Sequence, residues 1–416
     1  MIKKKPELLA PAGNLDKLKT ALAFGADAVY FGLPDFSLRA RINHFSWQEL
    51  AEGIEIAHKQ KKRAYVTVNI LAHNYHLDKL KSHIKRLKKL KPDALIVSDP
   101  GVLKIIKKQW PKVEIILSTQ ANASNSSAVK FWSQQGIKRV ILSRELNINE
   151  IKEIVKDNPK MEVETFAHGA MCLAYSGRCF LSQYFLSRNA NLGDCVQPCR
   201  WEYEIKPKNK EESLIVGEDK NGTYLLNSLD MCLIKRIDEM IKTGISAFKI
   251  EGRAKSVYYL ANVVGAYREA IDLHYNKTKI QERKKRINFL YKELETKLVH
   301  RGFSEGLMFG NKKDNKQNFK DSKSTPNWEF CGQVTGCKKI KKDKYAVTFK
   351  VHNSLKIYDN LELISPPYNL KKWRLKEMFD LAYNEVLEAH GGGGGQKVII
   401  YFKTPVSVYS VLRRRF

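Results

Sequence analysis

The sequence predicts an α/β chain: a TIM-type (β/α)8 barrel with an expanded cysteine-rich loop after its seventh strand, then a small antiparallel β-barrel. Three observations predict it. Eight short apolar runs alternate with amphipathic segments through the first 255 residues. The interval between the seventh and eighth runs far exceeds one crossover helix and holds five of the seven cysteines. Beyond about residue 328 the pattern changes to short alternating segments.

The eight runs are ELLAP (7–11), AVYFG (28–32), RAYVTVN (63–69), ALIVSD (94–99), IILSTQ (115–120), RVILS (139–143), VETFAHG (163–169) and AFKIEG (247–252). Each is near-continuously hydrophobic, as parallel strands buried on both faces must be. Segments such as NLDKLKTALAFG and WQELAEGIEIAHKQ between them have helical periodicity, and strict alternation of this kind predicts a barrel. A doubly wound sheet is the alternative, but no glycine-rich phosphate fingerprint follows the first run. The barrel is expected over 1–310 with its insertion at 170–246, the polar stretch 311–327 as a linker, and the second unit over 328–416.

The formal net charge is +29, from 73 Lys+Arg against 44 Asp+Glu. Such a surplus suits a polyanionic partner, although runs such as IKRLKKLK also fit ordinary solvated helix faces. There is no long apolar run for a membrane span and no apolar stretch behind the basic MIKKK start for a signal peptide. A cytoplasmic protein without membrane association is expected, and in a reducing compartment cysteines rarely form structural disulfides.

In a barrel the C-terminal ends of the strands line the active site. Those ends supply Pro11, Gly32, Asn69, Asp99, Gln120, Ser143, Arg144, His168, Glu251 and Arg253. Arginines beside few carboxylates suit an anionic small molecule, whereas Asp99, just before Pro100, fits a helix cap. No G-x-S-x-G elbow and no H-E-x-x-H occurs. A Cys172–His168 nucleophile pair is conceivable. Six residues separate Cys172 from Cys179, fifteen precede Cys195, three precede Cys199 and 32 precede Cys232. None of these is a zinc-knuckle spacing, yet five thiols on one loop favour an iron–sulfur cluster or zinc over five unrelated core residues.

ETFAHGAMCLAYSGRCFLS (164–182), GDCVQPCRWEY (193–203), NSLDMCLI (227–234) and KIEGRAKSVYYLANVVGAYREAID (249–272) together resemble peptidase family U-32, the collagenase-like peptidases. The opening ELLAPAGNLDKLKTALAFGADAVYFG, the LSTQAN and LSREL segments and the tail NEVLEAHGGGGGQKVIIYF are also similar. The resemblance implies an iron–sulfur protein of oxygen-independent hydroxylation. Its tRNA branch makes 5-hydroxyuridine at the wobble position, with prephenate as hydroxyl donor. Ribosomal RNA and quinone-precursor branches are alternatives, and the family name itself implies proteolysis. The C-terminal unit and the charge favour an RNA substrate, and 416 residues leave no room for the large insertions that the resemblance implies for the ribosomal RNA branch; tRNA is therefore expected, gripped at its anticodon loop, with LRRRF (412–416) and KKIKK (338–342) on the phosphate backbone.

Carried over residue by residue, the resemblance implies a [4Fe–4S] cluster on Cys172, Cys179, Cys195 and Cys232, with Cys199 spare; Cys199 in place of Cys195 or Cys232 is the alternative. Arg144 and Arg253 are expected to hold the small anionic donor, Glu251 and His168 to act in catalysis, and Gln120 and Asn69 to bind donor or base.

Overall fold

The computed structural model describes residues 5–38, 45–172, 174–201, 218–219, 222–223, 228–276, 278–310 and 326–415. Residues 311–325 of the expected linker and 202–217 of the insertion lie outside the described residues.

The first seven strands are Glu7–Pro11 (β1), Ala28–Phe31 (β2), Arg63–Val68 (β3), Ala94–Val97 (β4), Glu114–Leu117 (β5), Arg139–Ile141 (β6) and Glu162–Gly169 (β7). Next come the antiparallel pair Glu218–Asp219 (β8) and Gly222–Thr223 (β9), then Asp230–Cys232 (β10) and Ala247–Ile250 (β11). Strands β1 to β7 pair in parallel in sequence order, and β11 pairs in parallel with both β7 and β1. This closes the eight-stranded barrel. All eight apolar runs fall on its strands, because a strand between a helix layer and a packed lumen has no wet face.

Helices Leu15–Ala23 (α1), Trp47–Lys59 (α2), Leu77–Leu90 (α3), Pro100–Gln109 (α4), Ser126–Gln134 (α5) and Ile148–Asp157 (α6) wrap the first six crossovers. Their starts are set by local chemistry. Asn14 caps α1, Ser46 and Glu49 form a capping box on α2, and Asp99 caps α4 through Val102 N. Asp99 is therefore the cap that its place before Pro100 implies. The insertion carries a short helix, Leu181–Leu186 (α7); Ile237–Thr243 (α8) leads into β11. Val257–Tyr275 (α9) and Ile280–Lys297 (α10) follow the barrel, and Phe303–Ser304 (β12) extends the sheet beyond β10 before Gly306–Phe309 (α11). No described helix is long and apolar enough to cross a membrane.

The second unit contains Trp328–Lys341 (β13), Lys344–Val351 (β14), Ser354–Lys356 (β15), Asn360–Ser365 (β16), Asn369–Arg374 (β17), Glu388–His390 (β18), Lys397–Phe402 (β19) and Val411–Arg415 (β20). Six of these form an antiparallel sheet in the order β17-β16-β20-β13-β14-β19. The expected barrel is thus a curled sheet: no ladder joins its outer strands among the described residues, yet Trp373 of β17 and Phe402 of β19 meet at 5.2 Å. Its own core includes Cys331, Val347, Phe349, Leu363 and Leu412.

This unit docks on α9, which is buried along most of its length. At Gly265 a Cβ would stand 2.0 Å from the Pro367 carbonyl, so only glycine admits the approach. Arg413 is fully buried there, donating to Glu362 (2.8 Å) and Asn262 (3.2 Å) and pairing with Glu293. Arg414 is spent on Glu329 and Asp359. Arg413 of the LRRRF segment is therefore a domain clamp. It is not presented to RNA, because a guanidinium that stitches three elements together cannot also face solvent.

Candidate active site at the cysteine-lined barrel mouth

The C-terminal mouth of the barrel opens into a cavity. Its floor and walls come from the strand ends, its cover from the insertion. Asn69, Gln120, Arg144, Glu251 and Arg253 all line it, so five of the six expected pocket residues meet there. Cys172, Cys179, Cys195 and Cys199 line the same cavity.

The cationic side chains are held in place. Arg144 donates to the Ala170 carbonyl at 2.6 Å, lies 3.6 Å above the Phe166 ring and approaches Glu251 at 3.5 Å. Its buried Nε has no hydrogen-bond partner. Arg253 donates to the hydroxyls of Ser37 (3.0 Å) and Thr67 (3.3 Å). Asn69 donates to Ser118 Oγ at 3.3 Å and to Gln120 Oε1 at 3.4 Å, which sets both amides in one polar strip.

The cysteine loop is tied down from two sides. The Glu145 carboxylate accepts both the Ser176 N–H and its hydroxyl, each at 2.6 Å. Asn191 accepts from Cys179 N at 3.3 Å, donates to Cys179 O at 3.2 Å, and accepts Leu71 N at 3.1 Å through its carbonyl. Leu181 N lies 3.5 Å from Cys179 Sγ. Burial raises the Cys179 pKa, and the adjacent Cys195 and Cys172 raise it further, as clustered thiols should. None of the seven cysteines is in a disulfide. Among the described residues no three His, Cys, Asp or Glu side chains converge as one bound ion would require. A polynuclear cluster makes a different demand: each thiolate takes its own iron, so the ligands ring a space. Four thiols that line one cavity are the donor set such a cluster takes.

Three expectations depart from this arrangement. Cys232 does not line the cavity; it is buried on β10 with the Tyr267 hydroxyl 4.0 Å from its sulfur, and burial pushes its thiol up to about 12. Cys199, expected to be spare, is on the cavity wall. His168 is also turned away. On β7, Phe166 pairs with Lys249 but His168 pairs with Ile250, so Ala167 is an extra residue. This bulge reverses the alternation: Phe166 and Lys249 face the lumen, whereas His168 packs among Tyr259, Tyr267 and Phe303 behind the wall. Burial lowers its pKa to about 3, and its Nδ1 has no hydrogen-bond partner. The next residue, Gly169, has φ +111°, and a Cβ there would stand 2.4 Å from the Glu251 carbonyl, so the chain can turn into the loop only at glycine.

The sequence profile of Peptidase family U32 matches residues 13–318, and that of the Peptidase family U32 C-terminal domain matches residues 326–413. The chain belongs to Peptidase family U32. It is 38% identical to tRNA hydroxylation protein P of Haemophilus influenzae, over 99% of this chain and 96% of the relative. It is 35% identical to a collagenase of Porphyromonas gingivalis over 73% of both chains. To the 23S rRNA 5-hydroxycytidine C2501 synthase of Escherichia coli it is 35% identical, over 64% of this chain and 39% of the relative.

Two cavity residues of this U32 chain escaped the sequence reading. Lys249 lines the cavity with its ammonium 3.1 Å from Glu164 and 4.0 Å from the Tyr30 ring; burial lowers its pKa and Glu164 opposes that. A lysine inside the apolar run AFKIEG was the available signal, since an unpaired buried charge is costly. Glu145 was hidden inside LSREL.

Proposed function

We propose that this U32 protein is an RNA hydroxylase that makes 5-hydroxyuridine at the wobble position of tRNA, using a [4Fe–4S] cluster and prephenate as hydroxyl donor. The observation that carries the proposal is that four loop thiols and three cationic side chains share one cavity. The names of two relatives, one for tRNA and one for ribosomal RNA, support RNA hydroxylation. Alignment along 96% of the tRNA relative against 39% of the ribosomal RNA relative favours tRNA.

In this reading Cys172, Cys179, Cys195 and Cys199 would hold the cluster, which when bound would supply one-electron redox chemistry. Replacing C5–H by C5–OH removes two electrons from uracil, and a donor that surrenders its hydroxyl takes up two. Arg144 and Arg253 bind the donor's carboxylates in bidentate fashion. Glu251, held beside Arg144, moves the proton. Asn69 and Gln120 offer amide donors and acceptors to the uracil edge. The base must leave its stack to enter, which suits a single-stranded anticodon loop.

The cavity argues against a thiol protease. No histidine lines it among the described residues, and His168 lies behind the wall. Nucleoside mass spectrometry of tRNA tests the reading. 5-Hydroxyuridine should vanish from cells lacking the chain and return with the wild-type copy; its persistence in the deletion strain would end the proposal.

A further inference from the structure

The outer face of the cysteine loop is unlike the rest of the barrel surface. Helix α7 lies between Cys179 and Cys195. Its inner side is committed: Leu181 lines the cavity, and the buried Ser182 hydroxyl accepts Val196 N at 3.2 Å. Its outer side carries large rings in water. Phe180 is 76% exposed and Tyr184 81%, and Phe185 and Trp201 are also exposed. Tyr184 and Phe185 meet edge to face at 5.1 Å, and Phe185 stands 6.2 Å from Trp201. None of the four rings belongs to either hydrophobic core. Large rings gathered on one exposed stretch of the loop mark an interaction site.

We propose that Phe180, Tyr184, Phe185 and Trp201 form a stacking platform for the single-stranded RNA that flanks the target base, an inference that rests on the RNA reading above. Position and charge select this occupant. Phe180 stands between Cys179 and Leu181, both on the cavity wall, so a nucleotide stacked on it neighbours the one that enters. Exposed Arg178 adjoins it, anchored by its Nε on the Gln120 carbonyl at 2.7 Å. Half-exposed Arg188 follows, paired with Asp194 at 2.8 Å. Rings interleaved with arginines on a chain of net charge +29 complement a polyanion whose bases are unpaired. Stacking also tolerates any base, so the platform serves placement and leaves recognition of uracil to the cavity.

The test is fluorescence anisotropy of a labelled anticodon stem-loop RNA with the intact chain. Phe180→Ala combined with Tyr184→Ala should weaken binding about tenfold to a hundredfold. Tyr184→Trp should bind within a few-fold of wild type, because the ring is retained. The salt dependence should not change, since phosphate contacts are untouched. Both rings are largely exposed, so the unfolding midpoint should stay in place. Wild-type affinity in the double alanine variant overturns the platform. So does a loss of binding to anionic vesicles, with RNA affinity intact. Nucleoside analysis of the deletion strain separates the two readings. If hydroxyuridine depends on the chain while the alanine variant binds normally, the platform fails and the function stands. If hydroxyuridine never depends on the chain, the RNA reading fails with it.

Discussion

The two ends of the barrel both bury charge, but in opposite ways. At the floor, Arg139 meets Glu7 at 2.6 Å, Glu162 at 2.7 Å and Glu164 at 3.3 Å, and Arg63 meets Glu114 at 2.9 Å. Carboxylates surround each guanidinium there. At the mouth, Arg253 rests on neutral hydroxyls, and Arg144 reaches one carboxylate at 3.5 Å while its Nε has no hydrogen-bond partner. Lys249 joins the two regions, its stem at the cavity and its ammonium on Glu164. A guanidinium ringed by carboxylates serves stability; guanidiniums that line a cavity are positioned to meet an anionic ligand.

The comparison can be broken by mutation. Arg139→Met should have the largest effect: it removes the guanidinium that Glu7, Glu162 and Glu164 share and should cost about 3–5 kcal/mol in a denaturant titration, with hydroxylation per folded molecule retained. Arg253→Ala should do the reverse. Hydroxyuridine in cellular tRNA should fall about 10²–10³-fold, while stability drops by about 1–2 kcal/mol. Equal stability losses in the two variants would erase the distinction.

A gentler probe is pH. Burial lowers His168 from 6.5 to about 3. Below pH 6.5 the unfolded chain takes up a proton that the folded chain refuses, so stability falls as pH drops from 6.5 towards 3. The contribution is at most about 1.4 kcal/mol per pH unit. His168→Phe should flatten that stretch of the stability curve; an unchanged slope would put His168 in contact with solvent.

The barrel was legible because burial on both faces writes itself as apolar runs. All eight strands lie on the runs, and Asn69, Gln120, Arg144, Glu251 and Arg253 follow from strand ends alone. His168 did not follow, since one extra residue at Ala167 inverts which side a strand position faces. The cysteines were legible as a group but not as a set of four. Cys232 lies on a strand paired with β7, next to His168, whereas Cys199 sits in the short turn Pro198–Arg200 that the loop folds over the mouth. That difference is tertiary, and thiol spacing carries no trace of it. Lys249 looked like a strand residue because its neighbours are apolar, and Arg413 like a surface arginine because its neighbours are basic. Both are settled by partners distant in sequence, Glu164 for one and Glu293 and Glu362 for the other.

The choice between Cys199 and Cys232 tests the central claim, that the mouth of the barrel is one redox site, most directly. The measurement is iron and acid-labile sulfide in anaerobically purified protein, with its visible absorbance. Wild type should carry about four irons per chain. Cys232→Ser should keep that content, and Cys199→Ser should lose most of the iron and the colour. A Cys199→Ser protein that retains its full iron, or a wild-type protein purified colourless and iron-free, would contradict the account.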